Sequence, residues 1–424
     1  MIKIIKVSNV EKFAAKILQK QPQKNKTIVE SILKNVKKNG DDAIRKYEKK
    51  FSGANITSLR LSKTEIKNAY SKVSKDELSA IRLVKARLEK TESVIKSLLK
   101  NKTISNDGIK ISKKFIPIES VGCYIPGGLA NYPSSVIMSI VPAKIAGVKR
   151  IVVVSPPNSE GKIDPLTIVT ANICGADEIY KTGGAQSIAA LSYGTKTISK
   201  VDKIVGPGGA FVTIAKSLIS DQTGIDMLAG PTELGIIADN SANPKFVALD
   251  LISQAEHSKD TFCYLITTSE KLAKSVDNII SKLIPEIQRN NLVSSSLKNN
   301  GFIAICPTKF DMIRLANTLA PEHLQIMTKN PESLSSKITT SGLVLLGNYT
   351  PSSASDYVLG SNHILPTNGF GKIRGSLSVL DFIKINTQVI SSKSSLSKIL
   401  KYLQVLTKAE GLPNHYEAVR GRLK

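Results

Sequence analysis

Short apolar runs alternate with helical patterns along most of the chain after residue 115. Apolar segments at residues 151–154, 201–205, 234–238 and 262–267 have the length and β-branched content of buried strands. Glycine turns or helix-capping residues follow several of these segments, and a helical pattern comes next. The repeated order of strand, turn and helix predicts an α/β fold whose sheets are mainly parallel.

The first hundred residues have a different pattern, which is mainly helical. Apolar residues recur at helical spacing over residues 27–36, and Asn39-Gly40 is a signal that ends this helix. Two serines, Ser62 and Ser74, are each followed three residues later by a glutamate. This spacing is typical of capping boxes at helix starts, so we expect helices to begin there.

Composition places the chain among ordinary globular proteins. The length of 424 residues predicts two to three domains. No apolar run is long enough to cross a bilayer, and the first residues lack the apolar core and cleavage site of a signal peptide. The four cysteines lie far apart without a CxxC pair, which is typical of a reducing compartment. These features predict a cytoplasmic protein without a membrane partner.

The formal net charge of +25 raises the question of a polyanionic partner. Lysine is, however, spread along the whole chain, including amphipathic stretches such as residues 81–99, where it marks a solvated face. No basic block is interleaved with aromatic residues, and none of the usual nucleic-acid-binding motifs occurs. We therefore expect no nucleic-acid partner.

Histidine is scarce, and its four occurrences lie in unusual local runs. Two of them follow a glutamate directly, at residues 256–257 and 322–323, and the others are His363 and His415. Imidazole titrates near neutral pH and is the commonest metal ligand. An adjacent carboxylate and imidazole is therefore a candidate for proton transfer or metal binding. Each histidine alone is also compatible with an ordinary residue whose hydrogen bonds are satisfied.

The helix that follows Asn243-Pro244 carries a polar face near its end. Gln254 and His257 are three residues apart and project from the same side, which Asp250 shares at helical spacing. Polar ligands on one face of an otherwise apolar helix suit a metal or substrate site. A solvated polar face is the alternative reading of the same pattern.

Glycine turns after predicted strands, at residues 183–184 and 206–209, are candidate phosphate-binding sites. Backbone N–H groups and a helix N-terminus can approach a phosphate closely at such turns. A strict GxGxxG motif is absent here, because Phe211 stands where the third glycine would be needed. Simple strand-to-helix turn chemistry explains these glycines equally well.

Six short motifs together resemble the histidinol dehydrogenase family in order and spacing, over nearly the whole chain. The motifs are Gly183-Gly184-Ala185-Gln186, Gly206-Pro207-Gly208, Ala229-Gly230-Pro231, Ser253-Gln254-Ala255-Glu256-His257, Pro321-Glu322-His323 and Asn362-His363-Ile364-Leu365-Pro366-Thr367. The combination is specific, although no single motif is. The resemblance implies an enzyme that oxidises the amino alcohol L-histidinol to L-histidine, the last step of histidine biosynthesis, in two NAD-dependent steps with bound zinc.

The resemblance implies two incomplete Rossmann-like α/β/α domains with mainly parallel sheets, plus small helical segments at both termini. The implied division is a helical segment at 1–21, a substrate and zinc domain at 22–123 and 233–377, an NAD-binding domain at 124–232, and a helical tail at 378–424. The helical pattern of the tail begins at about Leu396. In the family the tail reaches the partner's active site, so we expect a homodimer with shared active sites.

The site residues that the resemblance implies fall into three groups. The expected zinc ligands, a nitrogen and oxygen set that suits zinc but would also accept manganese or cobalt, are Gln254, His257, Asp356 and His415. The expected substrate contacts are Thr232, Gln254, His257, His323, Asp356, Glu410 and His415. The expected NAD contacts are Tyr124, Gln186 and Gly209.

The resemblance implies two catalytic residues. His323 would be the general base that removes the alcohol proton during the first oxidation and takes a proton again during the second. Glu322 would activate the water that attacks the bound aldehyde to give a hydrate. These roles are chemically reasonable, since imidazole titrates near neutrality and a carboxylate can deprotonate water at a polarised carbonyl. His363 lies in a family motif, and we expect it to support the site indirectly.

The chain departs from the family pattern at four positions near these residues. Gly209 stands where the family usually has an asparagine that touches NAD, and Thr232 replaces a common serine but keeps a hydroxyl. Ser258 and Ser355 occupy positions where glycine is usual. The first change would weaken cofactor binding, and the serines would shift metal ligands slightly. None of the changes removes an expected catalytic or metal-binding residue.

Three other functions compete with this interpretation. A related dehydrogenase that oxidises another alcohol, such as a sulfonated diol, would keep Glu322, His323 and the ligand positions as well. A zinc hydrolase is disfavoured because the HExxH motif is absent. A basic nucleic-acid-binding protein on an old enzyme fold is disfavoured because the expected site residues are present.

Overall fold

The computed structural model describes residues 2–18, 25–127 and 131–423. Its strands are β1 (Lys3–Lys6), β2 (Lys102–Asn106), β3 (Ile109–Pro117), β4 (Ser120–Tyr124), β5 (Arg150–Ser155), β6 (Glu178–Lys181), β7 (Lys203–Val205), β8 (Gly224–Ile225), β9 (Glu233–Ala238), β10 (Phe262–Thr267), β11 (Phe302–Ile305), β12 (His323–Met327), β13 (Leu343–Leu346) and β14 (Ile383–Ile390). Its α-helices are α1 (Val10–Ile17), α2 (Lys26–Ser52), α3 (Lys63–Tyr70), α4 (Lys75–Leu98), α5 (Pro133–Ala146), α6 (Pro165–Cys174), α7 (Gly184–Tyr193), α8 (Ala210–Ile219), α9 (Pro244–Ala255), α10 (Glu270–Leu283), α11 (Asn290–Asn300), α12 (Lys309–Leu319), α13 (Pro331–Ser335), α14 (Ser352–Ser355), α15 (Lys393–Ala409) and α16 (Pro413–Arg420).

Across the described residues, two parallel sheets organise the chain. A five-stranded sheet has the order β6-β5-β4-β7-β8, and a six-stranded sheet has the order β1-β11-β10-β9-β12-β13. Apart from the edge strand β1, both sheets share one winding order, in which the first strand is central and the chain then runs outward on each side in turn. This is the doubly wound order of Rossmann-like folds. The predicted fold class, with two Rossmann-like units and mainly parallel sheets, is confirmed.

Helices cover both faces of each parallel sheet, which explains why the central strands are apolar throughout. All residues of β4 and β9 are buried, as expected for strands covered on both faces. Neighbouring residues of β5 enter different cores, since Val153 packs in one hydrophobic cluster and Val152 and Val154 pack in another. The strand pleat sends alternate side chains to opposite faces, so each sheet separates two cores.

The helices of the first hundred residues pack on the unit that contains the five-stranded sheet. Helix α2 contacts α7 and α8, while α4 contacts α5. The predicted division places residues 22–123 with the substrate and zinc domain, whereas this packing groups α2 to α4 with the five-stranded sheet. The division as a whole stays a prediction, and its boundary between residues 21 and 22 lies outside the described residues.

Local signals in this region have the expected outcome. Ser62 and Ser74 each form a complete capping box, in which the glutamate three residues later bonds back to the serine backbone. The helix expected to end at Asn39-Gly40 is interrupted there, because Gly40 adopts φ +53° inside α2 and the helix restarts behind it. Among the helices described, none is both long and apolar enough to span a membrane.

The two terminal segments contain strands as well as helices. In the predicted helical segment at 1–21, α1 follows the edge strand β1, which pairs with β11, and residues 1 and 19–21 lie outside the described residues. In the predicted helical tail, β14 forms an antiparallel sheet with β3 and β2 before α15 begins. The sequence pattern missed both strands because each one pairs with a segment hundreds of residues away.

Candidate functional site

The candidate site is built at the amino ends of β9 and β12, two neighbouring strands of the six-stranded sheet. Helix α12 ends at Leu319, Ala320 turns the chain in the left-handed region at φ +49°, and β12 begins at His323. In register, His323 lies beside Leu234 of β9 and Leu343 of β13. Hydrogen bonds on both sides of β12 therefore hold the backbone of this stretch in place.

Glu322 is buried and anchored through one carboxylate oxygen. Its Oε2 accepts hydrogen bonds from the Thr232 hydroxyl at 2.6 Å and from the Glu233 backbone N–H at 2.8 Å. Burial raises the pKa of Glu322, although the charge of His323 and the two hydrogen bonds oppose this effect. Among the described residues, Oε1 has no hydrogen-bond partner and remains available to another molecule.

His323 lies between two carboxylates. Its Nε2 is 3.2 Å from Asp356 Oδ1, and an ionised carboxylate only accepts hydrogen bonds, so Nε2 carries the hydrogen. Its Nδ1 is 3.8 Å from Glu322 Oε2 and has no hydrogen-bond partner in the described part of the chain. Burial lowers the pKa of His323, but Glu322 and Asp356 outweigh it and raise the pKa to about 9. A cation bound to Asp356 would remove one of these two contributions.

Gln254 connects helix α9 to the Glu322 carboxylate through a hydroxyl. Its Nε2 donates to Thr232 Oγ1 at 2.8 Å, and that hydroxyl donates to Glu322. The amide is therefore oriented with Oε1 pointing away, and a long contact of 3.5 Å from the Ser352 hydroxyl reaches this oxygen. Gln254 is almost completely buried, so its carbonyl oxygen is a fixed candidate ligand.

His257 lies one turn further on, just beyond the end of α9, and its side chain is exposed. Its Nδ1 is 3.1 Å from the Gln254 backbone carbonyl, which can only accept, so Nδ1 carries the hydrogen. The Nε2 lone pair is then free to bind a metal. Asp250, by contrast, is buried and accepts from Gln325 Nε2 at 2.8 Å, so it fixes α9 on β12 and does not join the candidate ligands.

His363 holds the backbone of Asp356 through a hydrogen bond. Its Nδ1 lies 2.7 Å from the Asp356 backbone carbonyl, and its Nε2 lies 3.3 Å from the Ser135 hydroxyl at the start of α5. Burial lowers the pKa of His363, although the nearby Asp356 carboxylate opposes this. The bonds form a continuous path from the start of α5, through His363 and Asp356, to His323.

Glu410 and His415 are not brought to this site within one chain. Both side chains are exposed, on or beside helices α15 and α16, which pack against each other. Within residues 2–18, 25–127 and 131–423, no three His, Cys, Asp or Glu residues are grouped so that they could hold a metal. The expected contribution of these two residues to a partner's site stays a prediction.

Two of the expected cofactor contacts, Tyr124 and Gly209, lie around the carboxyl ends of β4 and β7, where the winding direction of the five-stranded sheet changes. Tyr124 ends β4 and its hydroxyl accepts the Gly184 N–H at 3.3 Å, while Gly209 precedes α8 and is exposed. Ligands of doubly wound sheets bind at such a position. Because Ser135 follows β4 and bonds to His363, this end of the sheet faces the Glu322 and His323 end of the other sheet.

Gln186 faces the protein interior. Its Nε2 donates to the buried carboxylate of Glu48 at 2.8 Å, and the same oxygen, Oε1, accepts the Gly183 N–H and the Thr182 hydroxyl, each at 2.9 Å. Glu48 thus occupies the N-terminal end of α7, where an anion is favoured by the free N–H groups. This end of α7 is filled by the chain's own carboxylate.

The turn between β7 and α8 is held by a buried ion pair. Lys216 binds Asp226 and also donates to the Gly206 carbonyl at 3.1 Å, and Asp226 accepts the Gly206 N–H at 2.7 Å. Gly206 has φ +112°, and a side chain there would collide with the Tyr124 carbonyl. Only glycine fits, so this turn has a structural reason besides any contact with phosphate.

Sequence patterns missed two residues that shape the site. Glu233 begins β9 beside Glu322, and Ser352 begins α14 beside Gln254. An acidic residue directly before the apolar run of β9 was the visible signal for Glu233. No local signal distinguishes Ser352 from the other serines of its polar loop, because its role depends on contact with α9.

Comparison with known proteins points to one family. The family model described as histidinol dehydrogenase matches residues 16–423. The histidinol dehydrogenase of Methanocaldococcus jannaschii is 43% identical over 398 residues, which are 94% of this chain and 92% of the relative. That of Clostridium acetobutylicum is 40% identical over 418 residues, which are 98% and 96% of the two chains.

A solved structure has the same fold throughout. The crystal structure of histidinol dehydrogenase from Elizabethkingia anophelis superposes with a TM-score of 0.94 at 36% sequence identity. The superposition covers 100% of this chain and 98% of the other. The match therefore extends over both parallel sheets and both terminal segments.

Proposed function

Because the chain belongs to the histidinol dehydrogenase family and is an oxidoreductase, we propose that it oxidises L-histidinol through L-histidinaldehyde to L-histidine. The two oxidations remove four electrons in total and use NAD. The observation that carries the proposal is the joint presence of Glu322, His323, Asp356 and Gln254 at one end of the six-stranded sheet. This end faces the switch point of the five-stranded sheet, where a dinucleotide would lie.

His323, in the neutral form that it takes above its raised pKa, is the proposed general base of both oxidations. Asp356 fixes its ring through Nε2 at 3.2 Å, which leaves Nδ1 without a hydrogen-bond partner among the described residues. Loss of a hydride from the carbinol carbon leaves positive charge on that carbon, which is relieved by loss of the hydroxyl proton, and His323 receives that proton. Bound NAD would accept the hydride in each oxidation.

Glu322 is the proposed base for water between the two oxidations. Its Oε2 is held by Thr232 and by the Glu233 N–H, while Oε1 carries no hydrogen bond from the described residues. Burial raises the pKa of Glu322, which makes it a stronger base than an exposed carboxylate. Glu322 then takes a proton from the water that adds to the aldehyde, and the hydrate is the substrate of the second oxidation.

The residues present fit a zinc ion. The Gln254 Oε1, which carries only the long contact from Ser352, the His257 Nε2 and the Asp356 Oδ2 are donor atoms of types that zinc binds. His415 would complete the set from the partner subunit. Zinc in this position would hold the imidazole and amino nitrogens of the substrate, which keeps the reacting carbon beside His323 through both steps.

A homodimer with shared sites is part of the proposal. Exposed apolar side chains are concentrated on the C-terminal segment, where they include Ile385, Val389, Tyr402, Val405 and Leu406. Such a surface favours burial against another protein. The remaining substrate contacts, Glu410 and His415, would then reach the partner's site.

The test is the amount of NADH formed per L-histidinol consumed by the purified protein with zinc and NAD. Two NADH per substrate, lost on chelation and reduced about 10²–10⁴-fold in rate by His323→Asn, support the proposal. One NADH with release of aldehyde contradicts the role of Glu322. Absence of NADH with L-histidinol, together with activity on another alcohol such as a sulfonated diol, assigns the chain to the related dehydrogenase.

A further inference from the structure

Glu233 and Glu322 form a reciprocal pair of hydrogen bonds across two neighbouring parallel strands. The Glu322 carboxylate accepts the Glu233 N–H at 2.8 Å, and the Glu233 Oε2 accepts the Glu322 N–H at 3.2 Å. The two residues are 89 positions apart in sequence and meet because β9 and β12 run side by side. Each carboxylate therefore fixes the backbone of the other residue.

Glu233 also binds a third segment, the loop that follows Pro366. Its second oxygen, Oε1, accepts the N–H of Asn368 at 2.9 Å. The preceding residue, Thr367, accepts the Gly230 N–H at 2.5 Å. One carboxylate thus connects the head of β9, the backbone of Glu322 and the loop that follows Pro366.

The position of this carboxylate is unfavourable for the stability of the fold. Glu233 is only 8% exposed and lies beside a second buried acid. Burial, with a contribution from the Glu322 charge, raises the pKa of Glu233 to about 8. Burying an acid next to another acid lowers the stability of the fold unless hydrogen bonds to the buried groups compensate. Glu233 accepts hydrogen bonds from two backbone N–H groups, and these bonds account for a buried acid at this position.

We propose that Glu233 is a positioning residue that holds the Glu322 backbone and so directs the free Oε1 of Glu322 toward the water used before the second oxidation. The inference rests on the proposed function. The His323 ring is oriented by the Asp356 carboxylate, whereas the Glu233 side chain bonds to the backbone of Glu322 and of Asn368, so we expect the first oxidation to depend less on the Glu233 side chain than the second. The effect of Glu233 therefore falls mainly on the second half of the reaction.

The variant Glu233→Gln tests this specificity. The amide has one accepting oxygen where the carboxylate has two, so either the Glu322 N–H or the Asn368 N–H faces an NH2 group. We expect the first oxidation, the KM for L-histidinol and the zinc content to change less than about two-fold. The second oxidation slows by about ten-fold, so histidinaldehyde accumulates and NADH per substrate falls from two toward one during a single turnover.

Glu92→Gln is the matched control. Glu92 is another buried carboxylate that accepts a backbone N–H, from Val379 at 2.7 Å, and it takes no part in the candidate site. This control variant should leave both oxidation rates unchanged. Single-turnover kinetics with NADH formation and trapping of free aldehyde measures the two oxidations separately.

Glu233→Asp provides a second variant if Glu233→Gln does not fold. Aspartate keeps the carboxyl group but is too short to reach both N–H groups, and the same selective loss of the second oxidation is expected. Equal slowing of both oxidations, or no slowing of either, overturns the positioning role. A wild-type protein that forms no NADH from L-histidinol instead overturns the proposed function on which the inference rests.

Discussion

At the scale of single residues, the three histidines around the candidate site differ because each imidazole has different partners. His323 lies between two carboxylates and has a raised pKa of about 9, whereas the pKa of His363 is lowered by burial. His257 binds only a backbone carbonyl through Nδ1 and is exposed. Hydrogen-bond partners, and not residue type, therefore separate the proposed base, the proposed ligand and the supporting residue.

Gly209 is the residue-scale departure with a direct test. Its φ and ψ of −66° and 179° suit any residue, and a Cβ there would meet no atom of the described residues within 4 Å. Gly209→Asn should therefore fit without strain, cap α8 and restore the usual NAD contact of the family. We expect the Kd for NAD to fall about 2–10-fold in a titration of the zinc-loaded protein. This change corresponds to the net free energy of one hydrogen bond.

The control for this prediction is Gly209→Ala, which has the same backbone but no amide. It should bind NAD as the wild type does. Equal Kd values for the asparagine and alanine variants would mean that the side chain at 209 does not touch the cofactor. A rise of a few tenths of a kcal/mol in the unfolding free energy of Gly209→Asn alone would report the helix cap.

At the scale of elements, long-range contacts between segments decide where the chain ends pack. Helix α4 carries Glu92, whose Oε2 accepts the Val379 N–H at 2.7 Å at the start of the 3₁₀ turn Val379–Phe382. The turn leads directly into β14, which pairs with β3. One buried carboxylate therefore joins the helical layer of the first hundred residues to the C-terminal segment.

Glu92 makes this junction sensitive to pH. Burial, aided by the Asp381 charge, raises the pKa of Glu92 from 4.5 to about 7. The folded state thus binds the proton more tightly than the unfolded chain, so this contribution to stability is present below about pH 4.5 and is lost as the pH rises through 7. Between these values we expect a loss of about 2–3 kcal/mol in the free energy of unfolding.

Urea unfolding of the wild type and of Glu92→Gln from pH 4.5 to 8 measures this loss. Glutamine keeps the hydrogen bond without the titration, so the difference in unfolding free energy between the two proteins should change over that range. The exposed Glu286→Gln should show no such change. A constant difference between Glu92→Gln and the wild type would contradict the assignment to Glu92.

At the scale of the whole molecule, the carboxyl ends of the strands in one parallel sheet lie toward the amino ends of the strands in the other. The carboxyl ends of β4 and β7 lie toward the amino ends of β9 and β12, as the hydrogen bond of Ser135 to His363 shows. This arrangement brings the point where the five-stranded sheet changes its winding direction toward His323, the proposed base. Within one chain, however, Glu410 and His415 lie on the exposed C-terminal helices, away from that point.

Mixing two inactive variants tests whether the sites are shared between subunits. His323→Asn and His415→Ala should each be inactive as homodimers. After unfolding and refolding together, half of the dimers carry one copy of each variant, and one of their two sites then holds both intact histidines. We expect recovery of about one quarter of the wild-type activity. No recovery would mean that His415 serves the site of its own chain.

The chain's local patterns were sufficient for the α/β class, most strand positions and the capping boxes at Ser62 and Ser74. These features depend on residues within a few positions of one another, where spacing and capping chemistry act directly. The resemblance to the histidinol dehydrogenase family, which depends on motif order along the chain, is confirmed by the comparisons. The assigned roles of individual site residues stay predictions.

Only the tertiary structure decided which residues meet. His323 and Asp356 are 33 positions apart, and Glu233 and Glu322 are 89 apart. Strand β1 joins a sheet by pairing with β11, and β14 joins a sheet by pairing with β3. The contact of two distant segments depends on how parallel strands order themselves and on which apolar faces are buried together. That information belongs to the packed chain as a whole and is absent from any local window of sequence.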